Sequence, residues 1–232
     1  MLFDKVGNPI DMPSIQHLIR DFGKSYTKVM KAVITNSITL NRDTFRLNVA
    51  TLMPSFGMTR KGAFHGLKIV DGVIQDPNGV LDICWAQANQ GLHDLKKCVA
   101  EIALDRRSRT IVELSAQSRS YTISAASELF DKLKWTSANG SDVGRVAATK
   151  ILFAVLPEIA LPVDNAEWDD VFRTDSYGKI LSDMVDEINE WERESGRPLD
   201  TLEPCPPTTL TSIYNVMAMA ARPSATQTRS PR

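Results

Sequence analysis

The residue with the clearest chemical potential in the sequence is Asp164, which follows an apolar stretch directly. That stretch, from Ile151 to Val163, is interrupted only by Pro157-Glu158 and Pro162. A proline cannot continue the hydrogen bonding of a helix interior, so a helix should end before it. An aspartate at this point can cap the following helix. Placed in a cleft, it can instead act as a base or stabilise a developing positive charge. The residues alone leave both roles open.

A second feature lies one helix length upstream, where residues 140–145 read Gly-Ser-Asp-Val-Gly-Arg. A tight turn that enters a helix exposes backbone N–H groups at the positive end of the helix dipole, and such a corner attracts phosphate. Lys150 follows one turn later in the predicted helix. We therefore expect a phosphate-binding corner made of Val143, Gly144 and Arg145, assisted by Lys150.

Residues 140–168 resemble the helix–hairpin–helix segment of the base-excision DNA glycosylases. In that family a hairpin of the type L-P-G-V-G-R precedes a helix, and P-V-D with the catalytic aspartate follows it. Val143-Gly144-Arg145 corresponds to the end of the hairpin, and Pro162-Val163-Asp164 to the second motif. The lysine of the lyase-competent members falls on Val146, 18 residues before Asp164. The resemblance thus implies a monofunctional N-glycosylase without a lyase step.

The resemblance implies a protein that bends DNA and draws a damaged nucleotide into a cleft between helices. Asp164 would assist hydrolysis of the N-glycosidic bond, and Trp168, Trp135 or Tyr121 could stack on the base. Asp142, however, stands where the family has glycine and places a negative charge near the expected phosphate. This departure favours the alternative of a non-enzymatic helical module on the same scaffold. Such a module would bind nucleic acid or a protein, and a role in bacterial genome defence would fit it.

Further charged stretches offer candidate contacts. Arg106, Arg107 and Arg109 form the densest basic patch and could meet a DNA backbone, or simply be a solvated helix end. Residues 59–66 combine basic, aromatic and glycine residues in a predicted loop, which could contact DNA or only connect elements. The acidic helix predicted over 179–194 could meet a basic protein partner, and an unrelated helical interaction protein is a third interpretation of the chain.

Composition narrows the class of protein. The 232 residues suffice for one large or two small domains. No uncharged apolar stretch approaches the length of a membrane span, and no signal peptide is recognisable. Three widely spaced cysteines indicate neither a disulfide framework nor a metal site, so we expect a cytoplasmic location. The three histidines form no metal-binding motif, and we expect no metal and no cofactor.

Hydrophobic periodicity predicts a mainly α protein: a helical bundle with a helix–hairpin–helix glycosylase-like module and at most one small β-hairpin. The hairpin is expected around Asp71-Gly72, which Ile69-Val70 and Val73-Ile74 flank. A first helix is expected from residue 14 to about residue 33, and residues 41–54 are ambiguous between helix and strand. The predicted organisation is an N-terminal helical region at 1–87 with its hairpin near 67–75, the module at 88–222, and a disordered tail at 223–232.

Overall fold

The computed structural model describes residues 1–21, 39–201 and 209–223, and this part of the chain is mainly helical. Its α-helices are α1 (Met12–Asp21), α2 (Arg42–Ser55), α3 (Val80–Ala100), α4 (Thr110–Glu113), α5 (Ala116–Lys134), α6 (Gly144–Val155), α7 (Tyr177–Ser195) and α8 (Leu210–Ala220). Tighter 3-10 turns span Gly62–Phe64, Leu104–Arg109 and Leu199–Thr201, and a π-helical turn spans Glu167–Phe172. Within the described ranges, no helix combines the length and the apolar character needed to cross a bilayer.

The structure settles the ambiguous stretch at 41–54 as helix α2. Asn41 caps it: its side-chain oxygen accepts from the backbone N–H of Thr44 at 2.9 Å, and Thr44 Oγ1 accepts from the N–H of Asn41 at 3.0 Å. Reciprocal bonds of this kind satisfy two donors that a helix start leaves unpaired. Helix α1 confirms the start of the first predicted helix, whereas its continuation to residue 33 lies outside the described residues, as does most of the predicted tail.

The described part of the chain contains two small hairpins, where at most one was expected. Strands β1 (Lys68–Val70) and β2 (Val73–Gln75) pair in the predicted register, with Val70 opposite Val73. Strands β3 (Ser137–Ala138) and β4 (Ser141–Asp142) form the second hairpin, which corrects the expectation. Its turn residues Asn139 and Gly140 have φ of 51° and 71°, as the left-handed positions of a type I′ turn require. The Asn-Gly pair is a turn signal, but the flanking strands are too short to show an alternating pattern.

The second hairpin joins α5 to α6, and these two helices pack against each other. Helix α6 is buried from Ala147 to Val155 and also contacts α2. The predicted boundary between residues 87 and 88 falls inside α3. One hydrophobic cluster includes buried side chains from both sides of that boundary, from Leu2 to Met217.

The segment that leads into Asp164 is fixed by side-chain bonds to its backbone. Thr149 Oγ1 accepts from the N–H of Val163 at 3.0 Å, and Asn215 donates to the carbonyl of Pro162 at 2.8 Å. The Tyr177 hydroxyl accepts from the N–H of Leu161 at 2.9 Å. Buried backbone groups outside regular structure need such partners. The position of Asp164 therefore follows from α6, α7 and α8 together.

Candidate functional site

Both carboxylate oxygens of Asp164 are bound by cationic side chains. Lys150, on α6, donates to Oδ1, and Arg222, just beyond the end of α8, donates to Oδ2 at 3.0 Å. The Asp164 side chain keeps 30% of its surface exposed, while that of Lys150 keeps 1%. A partly exposed carboxylate thus lies in front of a fully buried lysine.

Glu167 completes the arrangement from the first turn of the π-helical segment. Its Oε1 accepts from Arg222 Nη2 at 2.5 Å, and its Oε2 accepts from the backbone N–H of Asp164 at 2.6 Å. Two cations and two carboxylates therefore balance one another in what we term the Asp164 cluster (Lys150, Asp164, Glu167 and Arg222). Charge balance and dense hydrogen bonding are what buried ionic groups need to be tolerated.

The buried members of the cluster have shifted protonation equilibria. Burial lowers the pKa of Lys150, although the charge of Asp164 partly opposes this effect. The ammonium also lies 3.6 Å from the ring centroid of Phe56, which offers a favourable cation–π contact. Burial likewise raises the pKa of Glu167, and its bonds to Asp164 and Arg222 oppose the shift. Desolvation dominates at both buried positions.

Asp164 occupies a helix start without using its side chain as the cap. Its backbone carbonyl accepts from the N–H groups of Glu167 and Trp168 at 3.1 and 3.0 Å. Its carboxylate is directed to Lys150 and Arg222 instead. The sequence offered a capping aspartate or a catalytic one, and the structure adds a third role, the centre of an ion-pair cluster.

The predicted phosphate corner lies beside this cluster, but its cations are already engaged. Arg145 donates to Asp169 Oδ1 at 2.7 Å, to Asn165 at 3.3 Å and to Asp175 at 3.5 Å. Gly144 has a φ of 76° at the start of α6, and the Val143 side chain is buried. The expectation that Lys150 assists this corner is wrong, because its ammonium is buried and bonded to Asp164.

The three arginines of the predicted basic patch at 106–109 do not share one surface, since Arg109 is buried and Arg106 is exposed. Arg109 is only 5% exposed, and it donates to Glu192 at 2.7 and 2.9 Å and to Asp200 at 2.6 Å. It therefore serves as an internal crosslink and does not face DNA, contrary to expectation. Arg106 is exposed but donates to Glu113 at 2.5 Å, and Arg107 donates to the carbonyl of Ile102 at 3.4 Å.

The three aromatic candidates have different surroundings. Trp168 is 1% exposed, with its ring 5.7 Å from that of Phe130 and 6.4 Å from that of Tyr177, so it fills the core and is not placed to stack on a base. Trp135 and Tyr121 are 68% and 56% exposed. Both belong to the α5 region, Trp135 at its C-terminal end and Tyr121 in the helix.

The predicted acidic helix corresponds to α7 and uses part of its charge internally. Glu192 binds Arg109, and Glu187 accepts from the N-terminal ammonium and from the Tyr214 hydroxyl. Asp183 pairs with Lys179 at 2.7 Å on the exposed face. Among the described residues, no group of three or more His, Cys, Asp or Glu is arranged to hold a metal ion.

The sequence pointed to Asp164 and Lys150 separately but did not join them. Lys150 follows Val146 by four residues, which puts both on one face of α6. Glu167 follows Asp164 by three residues, the spacing of a capping box, and this signal could have identified it. Arg222 has no local signal, because only the packing of α8 brings it to the cluster.

The charge balance of the cluster limits the chemistry of Asp164. A carboxylate that stabilises a sugar cation must offer that cation an uncompensated negative charge. Here Lys150 and Arg222 already compensate it.

No protein-family model matches the chain, and no curated protein and no solved structure matches it.

Proposed function

We propose that the protein is a non-enzymatic, helical DNA-binding module in which Asp164 has a structural role. The observation that carries this proposal is the engagement of both Asp164 oxygens by Lys150 and Arg222. With Glu167 included, the cluster is neutral and joins α6, the π-helical turn and the end of α8. Such a cluster favours stability over reactivity at this carboxylate.

DNA as the ligand is supported by helix α6, which begins at Gly144 within the Val143-Gly144-Arg145 motif and precedes Pro162-Val163-Asp164, in the order that the resemblance of residues 140–168 implies. It is also supported by the exposed Trp135, whose ring centroid lies 4.9 Å from Lys134 Nζ. An exposed indole beside a cation suits contact with bases and phosphates. Many other cations are paired with carboxylates, so we expect weak affinity that decreases strongly with salt.

The second candidate is a monofunctional N-glycosylase, which two observations favour. Asp164 has the spacing from Val146 that the resemblance requires, and 30% of its side chain is exposed. Arg222, at 29% exposed, could leave Asp164 when a substrate enters. Lys150 would then be the one cation of the cluster still bonded to Asp164, and the second carboxylate oxygen would be free to face the sugar.

One assay separates these two functions. DNA duplexes carrying uracil, an alkylated base, an oxidised base or no lesion are titrated with the protein by fluorescence anisotropy at several salt concentrations. The same reactions are treated with alkali to reveal abasic sites. We expect similar, salt-sensitive binding to every duplex and no abasic product. Base release from any lesion would establish the glycosylase instead, and the absence of binding at low salt would remove the DNA-binding function.

A further inference from the structure

A group of exposed cations without acidic partners lies in and beside the loop that precedes the first hairpin. Arg60 and Lys61 are exposed in the loop, and Lys68 is exposed at the start of β1. Among residues 1–21, 39–201 and 209–223, no carboxylate forms an ion pair with any of the three. Their full charges are therefore free to bind a ligand.

This surface contrasts with the surroundings of Arg46 and Arg145. Those two side chains are bound to carboxylates at short distances, Arg46 to Asp82 at 2.6 Å and Arg145 to Asp169 at 2.7 Å. A phosphate that approached such a cation would have to displace an internal anion first. At Arg60, Lys61 and Lys68 it would displace only water and counterions, which is the favourable step in nucleic-acid binding.

The loop is held in one conformation by its own bonds. The N–H of Gly66 donates to the carbonyl of Thr59 at 3.1 Å and closes the loop. Asn78 donates to the carbonyl of Ala63 at 2.9 Å, and its side-chain oxygen accepts from Asn139 Nδ2 at 3.2 Å. Asn78 thus ties the loop to the turn of the second hairpin. A loop backbone that is fixed in advance loses little conformational entropy when the loop binds a ligand.

The acidic groups around this surface are few. Asp142 is exposed in β4, which lies against the turn Gly62–Phe64, and Asp71 is exposed in the turn of the first hairpin. Asp76 keeps its negative charge, but its carboxylate accepts from the N–H groups of Val80 and Leu81 at 3.2 and 2.9 Å and so faces the positive end of α3. The three exposed cations therefore outnumber the two exposed carboxylates.

We propose that Arg60, Lys61 and Lys68 form the surface that binds the phosphate backbone of DNA. This inference rests on the proposed DNA-binding function and assigns the contact to this loop, away from the corner at Gly144 and the patch at 106–109. Flexible ammonium groups and a guanidinium in one place bind phosphates irrespective of base sequence. The surface therefore supplies affinity and position without sequence preference.

The test uses the full chain with Arg60→Gln, Lys61→Gln and Lys68→Gln combined, and a short fluorescein-labelled DNA duplex as the probe. The matched control carries Lys97→Gln, Lys179→Gln and Arg193→Gln, which removes the same charge from exposed cations that are paired with carboxylates. All six positions are exposed, so both variants should fold, which circular dichroism checks. Dissociation constants are measured over a range of salt concentrations.

We expect the loop variant to bind about tenfold or more weakly. Its dependence of log K on log salt should flatten by about one unit for each phosphate that the variant no longer neutralises. The control should bind within about threefold of the wild type, as charge-compensated cations contribute little. Equal weakening of the two variants, or unchanged binding by the loop variant, would overturn this surface while DNA binding itself stands. If the wild type does not bind the duplex at low salt, both the surface and the proposed function fail.

Discussion

At the scale of single residues, the molecule is unusual because Lys150, which is bonded to the partly exposed Asp164, is itself buried. A buried ion pair often contributes little net stability, because desolvation offsets the attraction of the charges. Removing one partner is costly all the same, since the other charge is left uncompensated. For Lys150 the remaining charges would be Asp164, Glu167 and Arg222, one positive against two negative.

A double-mutant cycle should reveal this coupling. We expect Lys150→Met and Asp164→Asn each to lower the free energy of unfolding by about 1–3 kcal/mol, less than for a sealed pair because Asp164 is 30% exposed. The double variant should lose less than the sum, with a coupling of about 1 kcal/mol or more. The exposed pair Lys179–Asp183 serves as the reference, with an expected coupling below about 0.5 kcal/mol. Urea denaturation measures both cycles, and additive losses at Lys150 and Asp164 would contradict the cluster.

Glu167 should give the protein a specific dependence of stability on pH. Burial raises its pKa in the folded state above the ordinary 4.5, so the folded protein holds this proton more tightly than the unfolded chain. Its contribution to stability is therefore fully present below about pH 4.5 and is lost as the pH rises through the raised pKa. The unfolding free energy of the wild type minus that of Glu167→Gln should fall as the pH rises above about 4.5. A difference that grows with pH would show that the bonds to Arg222 outweigh burial.

At the scale of elements, the sequence could predict the helices but not the burial of Arg109. The pattern of apolar residues predicted the helices because one face of each must be buried, and Asn41 signalled the start of α2. The same pattern assigns charged residues to the surface, so it could not predict that Arg109 and Lys150 are buried. Their positions depend on carboxylates distant in sequence, such as Glu192, which only the packed helices bring near.

Arg109 should hold three elements together. It joins its own 3-10 turn to α7 through Glu192 and to the turn at 199–201 through Asp200. Arg109→Met would leave these carboxylates without their buried partner, and we expect a loss of about 3–5 kcal/mol in unfolding free energy. Arg106→Met, at an exposed position paired with Glu113, should cost less than about 1 kcal/mol. Thermal and urea unfolding compare the two, and equal losses would contradict the crosslinking role.

At the scale of the whole molecule, the ends of the described chain meet the same helices that position the site. The N-terminal ammonium bonds to Glu187 on α7, and Tyr214 on α8 donates to the same carboxylate. Arg222 then extends from the end of α8 to Asp164. No sequence signal predicts these contacts, since they join residues far apart in sequence and depend on how the helices pack. The sequence drew attention to Asp164, but it did not predict that Lys150 and Arg222 neutralise this carboxylate.

The central claim is that Asp164 has a structural role and not a catalytic one. Its most direct test compares Asp164→Asn with the wild type, and both urea unfolding and DNA binding are measured on the same samples. We predict a lower unfolding free energy, a dissociation constant for the duplex within about twofold of the wild type once the folded fraction is taken into account, and no base release by either protein. Unchanged stability, together with base release by the wild type that the substitution abolishes, would contradict the structural role of Asp164.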